Sequence, residues 1–141
     1  MRIFAKAFLC PRDASPQDLK RRLADVNPGS MVQAARRGLL GNEVFVELLA
    51  AQTLQAESSG GLLAKKPEID FLLRLAGTTQ ISRAIRDAGA KSGEEFVLVV
   101  AGRSVVRRPS GIDGKELPRL GLTNSELGRI EKAALLNVER T

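Results

Sequence analysis

The sequence contains no histidine, tryptophan or tyrosine, and it has one cysteine among 141 residues. Without histidine there is no Ser-His-Asp triad, no imidazole general base and no His-ligated metal. A single cysteine allows neither an intrachain disulfide nor a thiolate zinc cluster, which fits a reducing cytosol. No stretch approaches the roughly 18–20 apolar residues of a membrane span, and Met1-Arg2-Ile3-Phe4-Ala5-Lys6 has no long apolar region of a signal peptide. What is present is ordinary globular material: 43% hydrophobic and 27% charged residues, with a formal charge of +6. The length suits one domain. A cytoplasmic, membrane-free, basic domain is expected.

The charge is uneven. Residues 1–41 carry a net +5, residues 65–86 a net +3 and residues 103–119 a net +3, separated by acidic stretches at 42–64 and 87–102. Such clustering suits a polyanion-binding face, although a solvated surface accounts for it as well. Fifteen of the 22 basic residues are arginine, the side chain suited to planar recognition of phosphates. The scarcity of aromatics argues against a base-stacking platform of the kind RNA-binding sheets use.

Patterning predicts β-α-β-α-α-α-β-β-α, an α/β (α+β) domain with a small mixed sheet. Ile3–Leu9 reads as a strand, and Ser15-Pro16-Gln17-Asp18 as a helix start with Leu19, Leu23 and Val26 on its apolar side. Met31–Ala35 is a short strand, and Asn42 caps an apolar helix running to about Ala56, before a Ser58-Ser59-Gly60-Gly61 loop. Ile69, Leu72, Leu73 and Ala76, then Ile81, Ala84, Ile85 and Ala88, repeat the i, i+3, i+4, i+7 spacing on two helices. Gly77 and a Thr78 or Thr79 cap separate them, giving a central αα-hairpin. Arg74, Gln80, Arg83 and Arg86 lie off these stripes and, with Lys65 and Lys66, predict one basic rim.

Phe96–Ala101 is the continuous apolar run of a strand buried on both faces. Gly102-Arg103 predicts a tight turn into a returning strand Ser104–Arg107. Thr123-Asn124-Ser125-Glu126 is a capping box opening the last helix, whose tail Ala134–Val138 is apolar.

No catalytic constellation emerges. Cys10 has no activating base and reads as a buried structural thiol. Gly111-Ile112-Asp113-Gly114 reads as a turn, since a calcium loop needs several more oxygen ligands. A Gly-Gly pair without G-x-x-x-x-G-K-[ST] is no P-loop. The residues point to a binding module with no cofactor, catalytic residue or metal.

Glu68-Ile69-Asp70-Phe71-Leu72-Leu73-Arg74-Leu75-Ala76-Gly77-Thr78-Thr79-Gln80-Ile81-Ser82-Arg83-Ala84-Ile85, preceded by Gly60-Gly61-Leu62-Leu63-Ala64, resembles the signature of the small KEOPS (EKC) subunit family that binds the Bud-type kinase, in its archaeal form. Val32–Ala35, the alanine-rich helix after it and Ala134–Val138 fall in the same order. Family members often carry a histidine early in that helix, where this chain has Asn42-Glu43-Val44-Phe45. The resemblance implies a non-catalytic regulatory subunit for threonylcarbamoyladenosine tRNA modification. Such a subunit binds and stimulates the Bud-type kinase/ATPase, captures the 3′ CCA end of tRNA, and works indirectly with an ATP-binding, metal-containing catalytic subunit and a small dimerising subunit. Lys65, Lys66, Arg74, Gln80, Ile81, Arg83 and Arg86 are the tRNA-binding candidates: cations for phosphates, Gln80 for a base edge, Ile81 for a base face. Leu135, Leu136 and Val138 are candidates for the kinase interface, with core packing as the other reading. From the residues alone, a regulatory α/β domain holding an anionic metabolite is the alternative, and an enzyme using Cys10 a third.

Overall fold

The computed structural model describes residues 2–109, 111–112 and 114–140. The element order is β1 (Phe4–Cys10), α1 (Pro16–Val26), β2 (Met31–Arg36), α2 (Glu43–Ser59), α3 (Pro67–Ala76), α4 (Ile81–Ala88), β3 (Phe96–Gly102), β4 (Lys115–Glu116) and α5 (Asn124–Arg140), with a 3-10 turn at Arg37–Leu39. The α+β class and the central αα-hairpin are as expected. The sheet has the strand order β2-β3-β1-β4, and every pair is antiparallel, so it is not mixed.

Alternation along the strands builds two cores. Phe96, Leu98 and Val100 of β3 join Phe8, Cys10, Val32 and Ala34 under α1, where Leu19 and Leu23 close the layer. Val97, Val99 and Ala101 join Ala7, Met31 and Ala35 on the other face, under α2, α3, α4 and α5. With helices on both faces, β3 has no wet side, which is why its sequence does not alternate. Each large aliphatic side chain buried this way contributes roughly 1.5–3 kcal/mol.

The predicted helix ends are built as the sequence suggests at three places. Ser15 Oγ accepts from Asp18 N at 3.2 Å, and Asn42 Oδ1 accepts from Val44 N at 3.1 Å. Thr123 and Glu126 bond reciprocally, Thr123 N to Glu126 Oε1 at 3.0 Å and Glu126 N to Thr123 Oγ1 at 3.1 Å. Asn42 does more than cap, because its side chain also pairs with the backbone of Leu120 and so ties the start of α2 to the approach to α5.

Four local expectations are corrected. Ser104–Arg107 forms no strand; Asn27 pulls this segment to the end of α1 by accepting from Arg107 N and donating to Arg107 O, at 2.7 and 2.8 Å. The strand beside β1 is instead Lys115–Glu116. Ser58 and Ser59 belong to the last turn of α2, with Gly60 (φ 75°) as its left-handed cap. The cap of α4 is Gln80, without a side-chain bond; Thr78 Oγ1 serves it by accepting from Gln80 N. Asp113 lies outside the described residues.

Candidate nucleic-acid interface

The edge of β2 is a valley between the two helical layers. Gln33 is buried on this edge and reaches both sides. Its Oε1 accepts from Lys20 Nζ of α1 at 3.3 Å and from Ala34 N at 2.9 Å, while its Nε2 donates to the Glu68 carbonyl of α3 at 3.0 Å. The valley opens into a cavity of about 360 Å³, with Lys20 and Arg21 on one wall and Lys66 and Ile69 on the other. A second cavity of about 190 Å³ shares Lys20, Gln33 and Ile69 and continues past Leu72 to Ile85 and Gly89. Together they form one groove from the start of α3 to α4.

Two features of the rim follow from local structure. Proline at the first position of α3 leaves Lys66 as a cap in extended conformation, and both Lys65 and Lys66 are exposed. On α4, the small residues Ala84 and Ala88 make the contact with the core, whereas Ile81 and Ile85 are 46% and 47% exposed. The predicted apolar stripe of α4 is therefore only half buried, and two isoleucines one turn apart face outward beside the basic residues. Side by side, they form a small apolar spot on the surface of α4.

The candidate cations separate into distinct groups. Arg83 and Arg86 are exposed and share one carboxylate, Asp87, at 3.6 and 3.1 Å. The Arg86 hydrogen bond is the largest influence holding the Asp87 carboxyl below its ordinary range. Arg21 pairs with Asp18 at 2.6 Å. Gln80 is exposed at the head of α4.

Arg74 is not part of the rim. It is 3% exposed and donates from Nε to Asp70 Oδ1 at 2.7 Å and from its terminal nitrogens to the Ala133 carbonyl and Asn137 Oδ1 at 3.1 and 3.0 Å. Its position off the apolar stripe reflects an internal ion pair, since Asp70 sits one turn away on α3 and α5 covers both. Leu136 is likewise core, fully buried, while its neighbours Leu135 and Val138 are 56% and 68% exposed on the outer side of α5.

Lys20 and Arg21 are the functional candidates that the sequence did not single out. Their helix periodicity marks them as exposed, but only the tertiary contact through Gln33 sets them opposite Lys66.

The other chemical candidates are occupied structurally. Cys10 is buried, its Sγ donates to the Phe8 carbonyl at 3.6 Å, and burial pushes the thiol up to about 11 despite the opposing charge of Arg108. Gly61 N is spent on the Ala56 carbonyl and Gly61 O accepts from Asn137, so the Gly-Gly segment seals α2 against α5. Among the described residues, no three His, Cys, Asp or Glu side chains are grouped to hold a metal ion, and no helix is long and apolar enough to cross a membrane. Compared with known proteins, the chain matches no family model and no curated sequence.

Proposed function

We propose that this chain is a non-catalytic, tRNA-recruiting subunit of a KEOPS-type complex, acting in the cytoplasm beside a Bud-type kinase/ATPase. The sequence resemblance over Gly60–Ile85 motivates the reading. The observation that carries it is the groove at the β2 edge, where Lys20 and Arg21 stand across from Lys66 and the exposed Ile85 of α4 lines the far end, with exposed Ile81 one turn before it on α4. A single-stranded RNA end needs cations for its phosphates and apolar or amide groups for its bases. Lys65, Arg83 and Arg86 supply further charge, and Gln80 an amide. In this proposal the exposed pair Leu135 and Val138 on α5 meets the kinase, since lasting assemblies use apolar contacts. The metal-containing catalytic subunit and the small dimerising subunit are reached only through it.

The test is tRNA binding with and without the 3′ CCA end at several salt concentrations. Loss of most affinity on removing the end, together with weakening by Lys66→Glu, supports the proposal. Equal binding of both tRNAs rejects the recruitment role. A second reading keeps the groove but gives it an anionic metabolite, because about 360 Å³ falls within the usual range for small-molecule pockets. Saturable binding of a small anion, with no RNA held at moderate salt, selects that reading instead.

A further inference from the structure

A separate cleft of about 330 Å³ opens at the start of α2. Its apolar walls come from Ile3, Phe4 and Ala5 at the start of β1 and from Val105 and Val106 after β3. One side is polar. Glu43 and Glu47, one turn apart on α2, stand there with Lys6 and Arg119.

Glu43 is the unusual member. It is 2% exposed, yet only one of its oxygens is served: Oε1 takes Arg119 at 3.1 Å and lies 3.9 Å from Lys6 Nζ. Its Oε2 is buried and accepts no hydrogen bond among the described residues. A buried carboxylate oxygen left without a donor carries its desolvation cost uncompensated. The two cations nearby do not cure this, because they are also drawn elsewhere. Arg119 bonds Glu47 as well, and Lys6 reaches Glu116 at 3.5 Å. Both side chains are about half exposed and therefore movable. Arg2 stacks 4.9 Å from the centre of the Phe4 ring.

A buried acceptor beside apolar walls is complementary to a cationic nitrogen on an apolar stem. Guanidinium fits best, being planar and weakly hydrated, and it reaches the unserved oxygen of Glu43 when the half-exposed Arg119 and Lys6 side chains swing aside. We propose that this cleft binds an alkylguanidinium or alkylammonium cation, with the head donating to Glu43 and the stem lying against Phe4 and Val105. Such a cation arises either as a free small molecule or as an arginine side chain of a bound protein, and the chemistry of recognition is the same.

The test titrates the purified chain with butylguanidinium and butylammonium, using neutral butylurea as the control and heat-stability and NMR shifts as readouts. A parallel arm compares a short arginine peptide with its citrulline counterpart. The cations, the arginine peptide or both are expected to bind, and the neutral partners are not. Glu43→Gln, which keeps the shape but removes the charge, should weaken binding at least about tenfold, equivalent to about 1.4 kcal/mol. Should that variant fold poorly, Val105→Trp closes the mouth from an exposed position and should weaken binding comparably. Binding by the peptide alone assigns the site to a protein partner, and binding by the free cation to a small molecule. The proposal is overturned by equal binding of the neutral analogue, by unchanged affinity in either folded variant, or by no binding of any cationic probe at millimolar concentration.

Discussion

The guanidinium of Arg74 and the carboxylate of Asp70 meet at 2.7 Å, Nε to Oδ1, with both side chains closed off from solvent. The carboxylate also accepts from Thr53 Oγ1 of α2 at 2.6 Å and from Leu63 N at 3.0 Å. The guanidinium continues to Ala133 and Asn137 of α5. One ion pair on α3 thus fastens α2, α5 and the segment before α3, and every polar arm of the pair has a partner.

Removing Arg74 should therefore damage the fold and not the RNA surface. Arg74→Met leaves Asp70 charged, buried and unpaired, a loss of about 3–5 kcal/mol. Adding Asp70→Asn should recover part of it. Denaturant unfolding of the single and double variants checks this, and tRNA affinity per folded molecule should be unchanged.

Lys66 and Lys20 should behave in the opposite way. Neutralising the exposed Lys66 to glutamine is expected to leave stability within about 0.5 kcal/mol, whereas the same change at half-buried Lys20 also removes its bond to Gln33 and should cost about 0.5–1.5 kcal/mol. If each holds one phosphate, the slope of log affinity against log salt should fall by about 0.7 for single-stranded RNA. Parallel salt titrations of the two variants and the unaltered chain measure it.

At Gly89, after α4, an added methyl group would lie 2.6 Å from the Ile85 carbonyl oxygen, which is fixed backbone. The same residue bridges to Ala35 on the β2 edge. Gly89→Ala is expected to cost about 1–3 kcal/mol as overpacking and to disturb the α4 end of the groove. Thermal unfolding tests the first part, and tRNA affinity the second.

Cys10 should resist thiol reagents near neutral pH until the chain unfolds, because burial raises its proton affinity. The linkage has a definite sign. A thiol whose folded value, about 11, lies above its unfolded value near 9 adds stability that is complete below the lower figure. That contribution disappears as pH rises through the upper one. Between about pH 9 and 11 the unaltered chain should lose stability faster than Cys10→Ala, as measured by denaturant midpoints at each pH.

The helices and β3 are legible in the sequence because their signals are local. Ser15, Asn42 and the Thr123/Glu126 pair act on backbone within three residues, and Phe96–Ala101 is too apolar to have a wet side. The misread segments depend on distant partners. Gly102-Arg103 has the composition of a hairpin turn, but both edges of β3 are already taken by β1 and β2, leaving Ser104–Arg107 no strand to join. Arg74 looks like a surface cation until α5, some sixty residues later, covers it. The same is true of the candidate site: Lys65, Lys66 and Gln80 before the helices, and Arg83 and Arg86 on α4, are exposed as expected, whereas Lys20 enters only through the Gln33 amide across the β2 edge.

The central position of β3 also sets an order of events during synthesis. β1 and β2 both flank it, yet it begins at residue 96, after seven of the ten elements formed by the described residues. Until the ribosome releases that stretch, the two earlier strands have no neighbour to pair with and their apolar faces stay open. The local helices α1, α2, α3 and α4 can form beforehand. Sheet closure must wait for contacts spanning 60 to 98 positions of chain, a separation that slows folding and prolongs the interval in which nascent chains can associate with one another.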